Sequence, residues 1–221
     1  MEKHSAYFKL LERLHAPECA ICAAVRSSLH TFLDSYLYEG VTDDTNWNRL
    51  SAAGGWCPRH ARQMEGFSDG LAVSLFYRHL IRKRIATLGK GSPTPGRPFF
   101  ASPWFGREGK PEPCPGCLHQ AEVEAGQVRV FASALGEEEF WKELEAHSGL
   151  CLSHSESVLA ALQEPLLSRF KELSGRQLEL LCAELDEIVR KSDTRTNEGM
   201  GSQGDAWKRA LRRCYGPQYG L

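Results

Sequence analysis

The sequence predicts an all-α protein made of two copies of one helical unit, with further helices at its C-terminal end. Three observations predict it. Apolar residues recur every three to four positions along nearly the whole chain, and no convincing β alternation interrupts them. A cysteine–histidine motif occurs twice: Cys19 and Cys22 with Cys57 and His60, then Cys114 and Cys117 with Cys151 and His154, each reading C-x2-C followed by C-x2-H. The duplication also extends past those residues. Trp47, Leu50 and Gly55 match Trp141, Leu144 and Gly149 at a constant offset of 94, and the C-x2-C pairs match at 95.

Each element rests on local signals. Tyr7, Phe8, Leu10, Leu11 and Leu14 predict an opening helix that ends before Pro17. Leu29, Phe32, Leu33, Tyr36 and Leu37 sit at i, i+3, i+4, i+7 and i+8, the stripe of one buried helix face. Asp43, Asp44 and Thr45 offer caps for a short helix carrying Trp47 and Leu50, which Gly54 and Gly55 end. Cys57 stands where an N-cap would, with Pro58 at the first helical position, so His60 falls in the first turn. Ser68 or Asp69 then caps a helix with Leu71, Leu75, Phe76, Leu80, Ile81, Ile85 and Leu88 on its buried side.

In the second copy, Leu118, Ala121, Ala125, Val128 and Ala132 predict the matching stripe, and Glu137–Glu139 supplies acidic residues to the next helix start. Pro165 divides the helix begun by Val158, Leu159 and Leu162 from a long amphipathic one carrying Leu178, Leu181, Cys182, Leu185, Ile188 and Val189. The polar, Gly-rich stretch 191–205 reads as a mobile loop, and Asp205 as the cap of a last helix with Trp207 and Leu211. Proline and glycine crowd residues 91–113, which read as a linker between a first unit, 1–90, and a second, 114–221. Within the linker, Phe99, Phe100, Trp104 and Phe105 are expected to pack onto a unit's surface, or else to form a docking patch.

Composition bounds the function. A chain of 221 residues with 42% hydrophobic content is too apolar for disorder, and a net charge of -1 argues against a surface built throughout for nucleic acid. No run approaches the ~18 apolar residues of a membrane span, so no membrane association is expected. Met1-Glu2-Lys3-His4-Ser5 lacks a signal-peptide core, which makes the cytoplasm the expected compartment.

In that reducing setting the motif cysteines read as metal ligands rather than disulfides. Two residues between cysteines let a tight knuckle aim both sulfurs at one point, and a C-x2-H completes a tetrahedron suited to Zn²⁺. The natural grouping is within each copy: Cys19, Cys22, Cys57 and His60 around one ion, Cys114, Cys117, Cys151 and His154 around another. Four protein ligands leave no open position, which describes structural sites. The same ligands also suit a [4Fe–4S] cluster. Arg26, Arg59 and Arg62 are candidates to offset the charge of three thiolates on Zn²⁺. Cys182 and Cys214 fall outside both sets, and Cys182 reads as a core thiol.

The opening Tyr-Phe-x-Leu-Leu helix, Cys19-Ala-Ile-Cys22, Tyr36-Leu37-Tyr38-Glu39, Trp56-Cys57-Pro58-Arg59-His60, Ser68-Asp69-Gly70-Leu71, Cys114-Pro115-Gly116-Cys117 and Ala206-Trp207 resemble a prokaryotic family of uncharacterised helical proteins. The resemblance runs over nearly the whole chain. It implies a helical metal-binding protein and lends no catalytic residues.

No G-x-S-x-G, P-loop or H-E-x-x-H pattern is present. The expected role is therefore a zinc-stabilised binding or scaffold protein whose partner is another protein. Nucleic-acid binding is the alternative raised by Arg78, His79, Arg82, Lys83, Arg84 and Lys90, and by Lys208, Arg209, Arg212 and Arg213, although such runs usually form a solvated helix face. A redox or metal sensor is a third reading. His30, His79, His119 and His147 lie outside the ligand sets and are read as ordinary helix or surface residues.

Overall fold

The computed structural model describes residues 5–40, 43–67, 69–88, 112–147, 149–192, 199 and 201–216. Among these residues there are ten α-helices and no strand, as an all-α fold requires. They are α1 (Ser5–Leu14), α2 (Ala20–Tyr38), α3 (Asp44–Ala53), α4 (Pro58–Met64), α5 (Gly70–Leu88), α6 (Pro115–Ala134), α7 (Glu138–Ala146), α8 (Leu152–Ala161), α9 (Leu166–Lys191) and α10 (Ala206–Tyr215). A 3-10 turn, Gly201–Gln203, precedes α10. The aromatic segment 99–105 and most of the expected linker lie outside the described residues, as does Ser68.

The chain divides into two compact units: Met1–Arg26 with Val123–Leu221, and Ser27–Glu122. This differs from the expected division into 1–90 and 114–221. The reason lies in the two long helices. α2 begins in the first unit and ends in the second, and α6 begins in the second and ends in the first. The elements that follow α2 or α6 therefore belong to the unit in which that helix ends, not to the one in which it begins.

In the second unit, Leu29, Leu33, Tyr36 and Leu37 of α2 pack with Leu50 of α3, Trp56, Met64 of α4, and Ala72 and Phe76 of α5. The cap of α3 is as expected: the Asp43 carboxylate accepts from the Thr45 N–H at 2.8 Å, and Gly54 closes the helix at φ 78°. Asp69 caps the first turn of α5, accepting from the Ala72 N–H at 3.0 Å. The buried face of α5 is narrower than expected. Phe76 and Leu80 are buried, whereas Leu71, Ile81 and Ile85 are exposed.

In the first unit, Tyr7, Leu10 and Leu14 of α1 pack with Ile21 and Val25, Phe131 of α6, Leu135 just after that helix, Phe140, Trp141 and Leu144 of α7, Val158 of α8, and Phe170 and Leu173 of α9. Here α6 departs from the expected stripe. Leu118, Ala121 and Ala125 face solvent, and Phe131, Ala134 and Leu135 do the burying. Cys182 is exposed, not a core thiol, as is Cys214. The Asp205 carboxylate does not cap α10; it accepts from Arg209 Nε at 3.1 Å instead.

The duplication is visible in backbone angles. Cys57 and Cys151 both precede their helices at φ -65° and ψ 160°, and Gly55 and Gly149 both have positive φ, 105° and 71°. Leu50 and Leu144 are each fully buried, and Phe76 and Phe170 occupy matching core positions at the same offset.

Candidate metal centres

All eight motif residues meet in two foursomes, but the foursomes are exchanged between the copies. Cys19 and Cys22 join Cys151 and His154; Cys114 and Cys117 join Cys57 and His60. The expected grouping within each copy is overturned. Each knuckle stands at the head of a long helix whose far end lies in the other unit, so the C-x2-H that completes it comes from the other copy of the motif. Each foursome lies inside a single compact unit.

In the first unit, Sγ of Cys19, Cys22 and Cys151 lie 3.3, 3.3 and 3.2 Å from Nδ1 of His154, and Cys22 Sγ lies 3.8 Å from Cys151 Sγ. In the second, Sγ of Cys57, Cys114 and Cys117 lie 3.3, 3.1 and 3.6 Å from Nδ1 of His60. Cys117 Sγ is 3.4 Å from Cys114 Sγ and 3.7 Å from Cys57 Sγ. A disulfide requires about 2.05 Å; these thiols are unbridged. Zinc bonds of about 2.3 Å to sulfur and about 2.0 Å to nitrogen at tetrahedral angles imply edges of about 3.8 Å (S···S) and about 3.5 Å (S···N). The observed edges match that figure to within about half an ångström, so each foursome has the shape of a single-ion tetrahedron.

Local structure explains the convergence. Cys57 and Cys151 leave extended backbone just before α4 and α8, so the imidazole three residues on turns back toward its own cysteine. The Cys114-Pro115-Gly116-Cys117 knuckle depends on glycine. A Cβ at Gly116 would stand 2.8 Å from Nδ1 and 2.9 Å from Cγ of His60. Over the first-unit foursome lies Gly216, at φ 72°, where a Cβ would approach Cys22 Sγ to 3.1 Å.

The surroundings of the two imidazoles differ. Nε2 of His154 lies 2.9 Å from Oε1 of Glu124 on α6. Burial works against the charged ring, but Cys151, Cys19 and Glu124 outweigh it and push the His154 pKa up to about 12. Burial and the neighbouring Arg59 charge instead lower the pKa of His60. Its Nε2 is buried and makes no hydrogen bond of good geometry, although Gln120 interacts with the ring and partly opposes that lowering. Gln120 lies nearby with its Oε1 accepting from Arg59 Nη2 at 2.6 Å.

Among the arginines expected to offset the thiolates, Arg26 instead grips Glu18, at 2.8 Å through Nη1. Arg213 takes a role that spacing did not reveal. It is buried, its Nη2 donates to Gln177 Oε1 at 3.1 Å, and burial lowers its pKa against the opposing pull of Cys19 and Cys151. Glu124 was likewise not singled out from the sequence, because a carboxylate on a helix face carries no ligand spacing.

The histidines outside the foursomes have other settings. His119 stacks on Phe32, with centroids 4.2 Å apart, and its Nε2 is 3.0 Å from Ser28 Oγ. His30 lies against Phe67 and His79 against Trp47. His147 forms a surface cluster with His15 and Glu143 that can also hold a cation, though His147 Nδ1 is already 2.7 Å from the Glu143 carbonyl.

No helix among the described residues is long and apolar enough to cross a membrane. No family model matches the sequence, and no solved structure matches it. The chain is similar to an uncharacterized 23.9 kDa protein of the xynA 3′ region of Caldicellulosiruptor sp. (strain Rt8B.4), with 26% identity over 223 residues that cover 95% of this chain and all of that one. That relative accords with the resemblance to a helical family of unknown function.

Proposed function

We propose that the protein is a helical binding or scaffold protein of a reducing, cytoplasmic compartment, pinned by two structural Zn²⁺ ions. One observation carries the reading: in each foursome all four tetrahedral corners are protein atoms at single-ion spacing. Such a site has no corner left for water or substrate, so its ion acts on the fold. The same spacing favours one ion over a [4Fe–4S] cluster, whose ligands each bind a separate iron and so lie farther apart.

The partner is another protein. Support for this over nucleic acid comes from α10, where Arg209 is engaged by Glu184 and Asp205 and Arg213 is buried against Gln177. Arg209 is thus held in ion pairs and Arg213 is buried, so two of the four basic residues of that cluster are engaged within the chain rather than free for phosphates. Elemental analysis with an absorption spectrum of the freshly purified protein tests the metal reading. Two equivalents of zinc and a colourless solution are expected; iron with a brown colour would overturn it.

A further inference from the structure

The two foursomes share one ligand set and differ in what surrounds it. We infer that the Cys57–His60–Cys114–Cys117 site is the exchangeable one, which gives up and takes back its ion, while the Cys19–Cys22–Cys151–His154 site holds its ion permanently. The inference rests on the metal-binding reading above and assigns the two sites different jobs.

The first difference is the support of the imidazole. A ligating histidine is held in orientation and made a better donor by a carboxylate on its other nitrogen, and loss of such a partner weakens metal affinity about 10–100-fold. His154 has that carboxylate in Glu124, at 2.9 Å. At the repeat offset of 95 the counterpart of Glu124 is Leu29, which is packed in the second unit's core with Cys114. His60 is fully buried and its Nε2 makes no hydrogen bond of good geometry; the interaction that does act on the ring comes from the neutral side chain of Gln120 rather than from a carboxylate. The substitution of leucine for glutamate at equivalent places is a difference of sequence, independent of side-chain placement.

The second difference is access. Cys19, Cys22, Cys151 and His154 are each no more than 4% exposed. Cys57 and Cys117 are only half-buried. Metal exchange with an outside chelator begins when its donor atom reaches the ion or displaces a thiolate, and a site with two partly exposed cysteines is more open to that than one whose four residues are all buried. The third difference is cover. Gly216 at the end of α10 and the Arg213 guanidinium lie close to the first-unit sulfurs, where the positive charge also steadies a site of net charge -1.

The test uses the full-length protein loaded with two equivalents of Zn²⁺ and challenged with excess 4-(2-pyridylazo)resorcinol. Release is expected in two phases of one equivalent each, with rates at least about tenfold apart. Alkylation with N-ethylmaleimide after the fast phase should label Cys57, Cys114 and Cys117 and spare Cys19, Cys22 and Cys151. E124Q should speed the slow phase and leave the fast one unchanged. A single phase, or first labelling of Cys19, Cys22 and Cys151, would overturn the inference while leaving the metal reading intact. A protein that takes up no zinc at the loading step would overturn the metal reading itself. The wild-type alkylation pattern decides the matter even if E124Q does not fold.

Discussion

Gly116 lies against the His60 imidazole, so near that a methyl group there would stand 2.8 Å from its Nδ1. In the first knuckle the same place holds Ile21, which is buried in the core. Gly116→Ala should therefore displace His60 and lower zinc content from two equivalents toward one. A melting temperature lower by several degrees is expected too, since each kcal/mol is worth about 2–4 °C in a chain of this size. Metal analysis beside a thermal melt checks both.

The exchanged grouping has a sharp consequence for double mutants. C19S with C151S strikes one foursome and should remove one ion. C19S with C57S strikes both and should remove two. A grouping within each copy predicts the opposite pattern. Native mass spectrometry of the two proteins distinguishes the cases.

Each ion should be a large part of its unit's stability. Structural zinc in small domains contributes roughly 10–16 kcal/mol of apparent binding energy, comparable to the stability of a whole domain. C57S should accordingly unfold the unit Ser27–Glu122 while the other foursome keeps its ion, seen as partial loss of helical circular dichroism. Full helicity and full thermal stability in C57S would contradict a structural role.

Tyr36 gives a pH dependence whose sign is fixed. Burial raises its pKa to about 12, and its hydroxyl donates to the Asn46 carbonyl at 2.6 Å. In the unfolded chain the phenol ionises near about pH 10. Between those values the unfolded state releases a proton that the folded state keeps, so stability falls as pH rises through that window and is unaffected below it. Urea denaturation at pH 9 and pH 11 should show a steeper loss in wild type than in Y36F. At neutral pH, Y36F should cost about 1 kcal/mol for the missing hydrogen bond.

Helix positions and most caps were legible in the sequence because their signals are local; Asp205, which binds Arg209 instead, is an exception. Asp43, Gly54, Pro58 and Asp69 act on backbone within a few residues of themselves, and each does what its chemistry dictates. The eight residues of the foursomes were legible for the same reason. Their grouping was not. Two identical knuckles and two identical C-x2-H turns can be joined in two ways, and the near-equal spacings in the two copies suit both. The choice is made by the lengths of α2 and α6, which carry the chain out of the unit where they begin. The apolar faces of α5 and α6 were misread where three- and four-residue spacing admits two neighbouring stripes, and Leu118 and Ile81 show which one tertiary packing left outside. Glu124 and Arg213 were invisible because nothing in their neighbours marks a residue that serves a ligand far away in the chain.

The nesting of the foursomes sets an order of events on the ribosome. Cys57, His60, Cys114 and Cys117 all lie between Cys22 and Cys151, so the inner set is complete once Cys117 has emerged, while the first pair of sulfurs still waits. Translation at about 5–20 residues per second needs about 2–7 s more to deliver His154. Through that interval the nascent chain would carry one completed set and one open pair of thiols, and α1, with Ile21 and Val25 already at hand, would still lack its neighbours from α7, α8 and α9.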